Sequence, residues 1–132
     1  MTTASLLSGK RMGYYYDRRY LPGNNQSYRV DPPMHTIELV VDEAVSIQYT
    51  HSLNERIKWI IFSASRGVDS YGTFQLNGTV SETGNVTIIK TYVTQGWSWM
   101  WHGTVMPFGI VGVLGDIRGV ELGGYFWIWK QD

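Results

Sequence analysis

Apolar residues in this chain recur at every second position and hold no 3.6-residue period over a helical length, which confines the fold to strands. Residues 34–41 show the pattern most plainly: His35, Ile37, Leu39 and Val41 fall on one side, and Met34, Thr36, Glu38 and Val40 on the other. Further strands are expected at residues 12–20, 45–49, 57–62, 72–80, 86–93, 97–106, 110–114 and 124–130. The segment IKWIIF at 57–62 is apolar on both faces, as for a strand covered on each side or a short buried helix, and the strand is favoured. Turns rich in Gly, Asn and Pro separate these segments, and the longest runs over residues 21–33. A short helix is allowed only near residues 52–56 or 117–121. The expectation is an all-β fold, a single antiparallel up-and-down β-barrel of about eight to nine strands. A length of 132 residues suits one domain spanning 1–132, with residues 1–10 as a flexible N-terminus.

Composition removes several function classes. Eleven basic residues balance eleven acidic ones, so the broad positive field that nucleic acid or an anionic membrane requires is missing, and neither partner is expected. The absence of Cys excludes thiolate metal sites, disulfides and cysteine nucleophiles. His35, His51 and His102 sit on separate segments without metal-ligand spacing, so no metal is expected. P-loop and dinucleotide fingerprints are missing as well, because GIVGVLGDIRG has neither a following helix nor a Lys-Ser/Thr pair; no cofactor is expected. The start of the chain has only residues 4–7 as an apolar stretch, and no run reaches the ~18 apolar residues of a membrane helix. A soluble, cytoplasmic protein is the expectation, and a homodimer is compatible with it.

Aromatic residues carry the functional signal: six Trp, nine Tyr and four Phe. Strand geometry puts Trp97, Trp99 and Trp101 on one face, which is expected to be the interior because Ser98, His102 and Thr104 occupy the other. Tyr125, Trp127 and Trp129 repeat the spacing, Tyr14 and Tyr16 share a face of the first strand, and Trp59 sits in the apolar fourth segment. If these ladders converge, they surround a cavity with flat apolar walls and a few N–H and O–H donors, suited to a small apolar, planar or polycyclic ligand. His102, Glu38, Tyr16, His35 and Asp17 are the candidate acid–base groups should the same pocket catalyse a reaction, as a cofactor-independent isomerase or cyclase. A third class is a module in which exposed rings stack on sugars or on a protein partner.

From Asp69 to Trp129 the chain also carries a sequence of motifs: D-x-x-G-x-F-x-L-x-G-x-V through Gly72, Phe74, Leu76, Gly78 and Val80, then G-x-V-x-x-x-K-x-Y through Gly84, Val86, Lys90 and Tyr92. W-x-W-x-G follows at Trp99, Trp101 and Gly103, then G-I-V-G at 109–112 and G-x-F-W-I-W at 124–129. This pattern, over a little under half the chain, resembles the lipocalin-like (calycin) domains of fungi. The resemblance implies an up-and-down barrel with an internal or mouth-facing pocket, and it transfers no catalytic residue.

Overall fold

A computed structural model describes residues 7–17, 35–43, 56–118 and 122–131. Among the described residues there are nine strands: β1 (Gly9–Asp17), β2 (His35–Leu39), β3 (Val41–Glu43), β4 (Ile57–Asp69), β5 (Gly72–Ser81), β6 (Asn85–Tyr92), β7 (Ser98–Met106), β8 (Gly109–Asp116) and β9 (Leu122–Lys130). Neighbours pair antiparallel from β4 through to β9, β9 pairs β1, β1 pairs β2, and β2 pairs β4, so eight strands close a barrel and β3 adds to the edge of β4. This is the all-β antiparallel barrel that the period-two pattern predicts, and a closed barrel of eight antiparallel strands is consistent with a calycin-like fold. The strand expected at 45–49 lies outside the described residues, as do the two helix positions apart from Arg56, Ile117 and Arg118.

Several boundaries differ from the expected ones, most of all in β1 and β4. β1 opens at Gly9, three residues before the expected start, and Leu7 is already buried in the core. β4 runs well past residue 62, with register shifts against β5 between Ile57 and Trp59 and between Ile61 and Ser65. Phe62 is exposed, so this strand is not covered on both faces. The break between β2 and β3 at Val40 faces the second irregularity, and the orphaned backbone is satisfied there: Val40 N–H donates to Ser65 Oγ at 2.7 Å, and Phe62 N–H donates to the Val40 carbonyl at 2.9 Å.

Inward positions follow strand parity. Ile37 and Leu39 on β2, Trp59 and Ile61 on β4, Phe74 and Leu76 on β5, Val86 and Ile88 on β6, Trp101 on β7, and Phe126 and Ile128 on β9 form one core. The large rings fit because glycines stand opposite them. A Cβ on Gly103 would lie 2.9 Å from the Phe126 ring, and one on Gly67 would lie 2.4 Å from that of Phe74. Phe126 then stacks on Trp101 with centroids 4.4 Å apart and planes at 26°.

Candidate functional site

One end of the barrel, called upper here, carries the β4–β5 hairpin, the β6–β7 turn and the last residue of β1; beneath it the interior turns polar. Lys90 is on the inward face of β6 in the run Val86, Ile88, Lys90, Tyr92, and it is fully buried. Its Nζ donates to Asp69 Oδ2 at 2.8 Å, and the Tyr92 hydroxyl donates to the same oxygen. The other carboxylate oxygen of Asp69 accepts from the Tyr71 N–H at 2.8 Å. Four rings enclose the ammonium, with Nζ 4.2 Å from the centroid of Phe74, 4.5 Å from Tyr15, 4.8 Å from Tyr92 and 4.9 Å from Trp101. Burial pulls the Asp69 carboxyl upward, but the charge of Lys90 and hydrogen bonds from Lys90, Tyr92 and the Tyr71 backbone hold it below its ordinary value. Burial, reinforced by Asp69, pushes the Tyr92 and Tyr15 phenols up.

His35 sits inside this cluster, 1% exposed, stacked on Tyr15 at 5.1 Å and on Trp101 at 6.0 Å. Neither ring nitrogen has a hydrogen-bond partner among the described residues. Burial, then the nearby Lys90 charge, lowers its pKa to about 4, with Asp69 opposing, so the imidazole is neutral at pH 7. The interior therefore holds its own cation in an aromatic cage beside a neutral imidazole that has no hydrogen-bond partner among the described residues.

The sequence-predicted residues divide between the two sides of the wall. Trp101 and Trp59 are inward and buried, and Trp99 packs partly buried against the core. Trp97 does not extend that ladder: β7 begins at Ser98, the Trp97 carbonyl accepts from Tyr92 N–H in the preceding turn, and the ring is 49% exposed. The second ladder faces outward, with Tyr125 at 58% and Trp127 at 43% exposure, because Phe126 and Ile128 take the inward positions opposite glycines. Tyr14 is outward for the same reason of parity, while its neighbour Tyr15 is buried. The ladders accordingly do not converge on one cavity. His102 is on the outer face of β7, its Nδ1 3.4 Å from Thr87 Oγ1, and Glu38 is exposed on β2, opposite Arg66 in register. Those two do not join His35 in the interior. Tyr16 and Asp17 belong to β1 opposite Tyr125 and Gly124, and their side chains lie outside the described residues.

Turned outward, the ladder of β9 forms a ring wall. Tyr14 and Trp129 have centroids 5.6 Å apart, Trp129 and Trp127 4.9 Å, and Trp127 and Phe108 6.1 Å. Phe108 lies in the β7–β8 turn, and the Trp127 indole N–H donates to its carbonyl at 3.3 Å. Gly109 permits this approach, with φ of 141° and space where a Cβ would lie 2.8 Å from the Trp127 indole nitrogen. Beside the wall, at the lower end of the barrel, a groove of about 670 Å³ has Trp127, Trp129, Phe108, Met106, Leu7, Val105 and Ile110 in its lining. Among the described residues, the charged ones in its lining are Arg11 and Lys130.

Sequence reasoning overlooked Arg11, Tyr15, Lys90 and Tyr92 as site residues. Lys90 had a legible signal, a lysine in phase with Val86 and Ile88 on the apolar face of a strand, whereas Arg11 was hidden by the late start expected for β1. No family model, curated protein or solved structure matches the chain. No helix among the described residues is long and apolar enough to cross a membrane, and no group of three His, Asp or Glu among them is placed to hold a metal ion.

Proposed function

We propose that this protein binds a small, flat, apolar molecule in the groove at the lower rim, with Trp127, Trp129 and Phe108 as the stacking wall. The observation that carries this reading is the run of four contacting rings, Tyr14–Trp129–Trp127–Phe108, beside a groove of ligand size. Inside the barrel, by contrast, Trp101, Phe74, Lys90 and His35 are large, fully buried side chains, which favours the outer groove. The resemblance to lipocalin-like domains of fungi agrees with a carrier or sensor role on a calycin-type barrel. The test is a fluorescence titration with the neutral probe 2-naphthamide. Saturable quenching in the wild type that Trp127→Ala weakens by about tenfold or more supports the reading. Light scattering alongside separates the other occupant of such a face: a dimer that Trp127→Ala dissociates would assign the rings to a second copy of the chain.

A second reading rests on His35. A neutral imidazole whose two ring nitrogens have no partner among the described residues, beside Tyr15 and Lys90, has the composition of a proton-transfer site, as a cofactor-independent isomerase requires. It needs the ring cage to open toward the upper end. Protection of His35 from diethyl pyrocarbonate in the folded protein would count against it.

A further inference from the structure

The groove's chemistry is lopsided in charge, and this narrows the ligand class further; the inference rests on the reading just given. Arg11 points inward from β1 at the lower end and is 5% exposed. Its Nη2 donates to the Leu7 carbonyl at 3.0 Å, and its Nε has no partner among the described residues. No described carboxylate forms an ion pair with it: the ion pairs among described residues are Lys90–Asp69 and Arg118–Asp116. A guanidinium has five N–H donors in a rigid fork that matches two oxygens of an anion, and leaving it buried and unpaired is costly. Among the described residues that line this groove, those besides Arg11 are apolar apart from the cation of Lys130, and none is a carboxylate. Burial also lowers the guanidinium pKa.

We propose that the ligand of this groove is an amphiphilic anion, whose flat apolar body stacks on Trp127 and Trp129 and whose carboxylate or phosphate head pairs with Arg11, with Lys130 adding a second positive charge. Arg11 and the indoles, which line the same groove, would read the two ends of one molecule. Head and body contribute separately to the affinity.

The experiment compares 2-naphthoate, 2-naphthyl phosphate and neutral 2-naphthamide by calorimetric titration on wild type, Arg11→Met, Lys130→Met and Trp127→Ala proteins. At least one anionic probe is expected to bind about tenfold or more tightly than the amide, the better of the two naming the head group. Arg11→Met should bring the three probes to within about twofold of each other, Lys130→Met should narrow the gap partly, and Trp127→Ala should weaken all three alike. Lys130 is exposed, so its variant keeps the test open if Arg11→Met folds poorly. Equal affinity of the amide and both anions in the wild type would overturn the anion inference while leaving an apolar groove. Failure of every probe to bind would overturn both.

Discussion

Replacing Asp69 with Asn would remove one charge from the interior and almost nothing else. Asn is isosteric, and its carbonyl can still accept from the Tyr92 hydroxyl or the Tyr71 N–H, the contacts Asp69 makes now. What disappears is the counter-charge of Lys90, whose side chain is 2% exposed while that of Asp69 is 0%. Removing one member of a buried pair costs ~3–5 kcal/mol, because the survivor is left charged out of water. Here the cage of four rings still attracts the ammonium, each ring contributing ~0.5–2 kcal/mol, so the lower end, ~3 kcal/mol, is expected. For 132 residues the unfolding entropy is ~0.28 kcal/mol/K, which places the fall in Tm at ~11 °C. Lys90→Met tests the converse, and combining it with Asp69→Asn should restore most of the loss, since two neutral groups no longer need each other. Urea unfolding followed by tryptophan fluorescence would give the four stabilities of the cycle. A loss below ~1 kcal/mol for Asp69→Asn, or simple additivity in the double variant, would mean that the pair is solvated and that its reading as a water-excluded ion pair is wrong.

Two other perturbations are as direct. His35 has its folded pKa lowered to about 4 from 6.5, so between those values the unfolded chain binds a proton that the native chain does not; stability should fall as pH drops from 7 to 5, and His35→Phe should remove most of that slope in urea midpoints measured at both pH values. Gly109→Ala places a Cβ 2.4 Å from the Ile128 carbonyl oxygen at φ of 141°, whereas Gly96→Ala meets nothing within 4 Å at φ of 75°; the first should destabilise by over ~2 kcal/mol and the second by ~1 kcal/mol in the same assay, and equal losses would contradict the crowding at Trp127.

How far residues announced their places depended on whether the two faces of a strand differed in polarity. β2 was legible because Thr36 and Glu38 alternate with His35, Ile37 and Leu39, and the structure keeps that division. β9 was not, since Tyr125, Trp127 and Trp129 alternate with Phe126 and Ile128 and neither set marks itself as wet. Its parity is decided by distant partners: Gly103 on β7 leaves room for the Phe126 ring, and Gly13 on β1 for Ile128, whose side chain would lie 2.4 Å from a Cβ there. Such gaps emerge only from the register that brings β1, β7, β8 and β9 side by side. Tryptophan on alternate positions of β7 and β9 thus means core in one strand and surface in the other. The ion pair is a similar case, because Asp69 and Lys90 are brought together by the β4–β5 and β5–β6 pairings, with nothing local to join them.

The pairing of β1 with β9 has a kinetic meaning. Arg11 lies opposite Lys130 and Tyr14 opposite Trp127, and Gln131 N–H donates to the Lys10 carbonyl at 2.9 Å. The cylinder is thus sealed by a contact spanning more than a hundred positions of chain, the most expensive loop in the molecule to close. On the ribosome, strands β4 to β8 can assemble hairpin by hairpin as they emerge, but one long side of β1 must wait for the final strand. Until then Tyr15 and Trp101 lack the wall that Phe126 and Ile128 complete, and an unpaired, aromatic-rich edge stands open to other chains. Nascent chains stalled just short of β9 would be the species most prone to aggregate and the ones in greatest need of a chaperone.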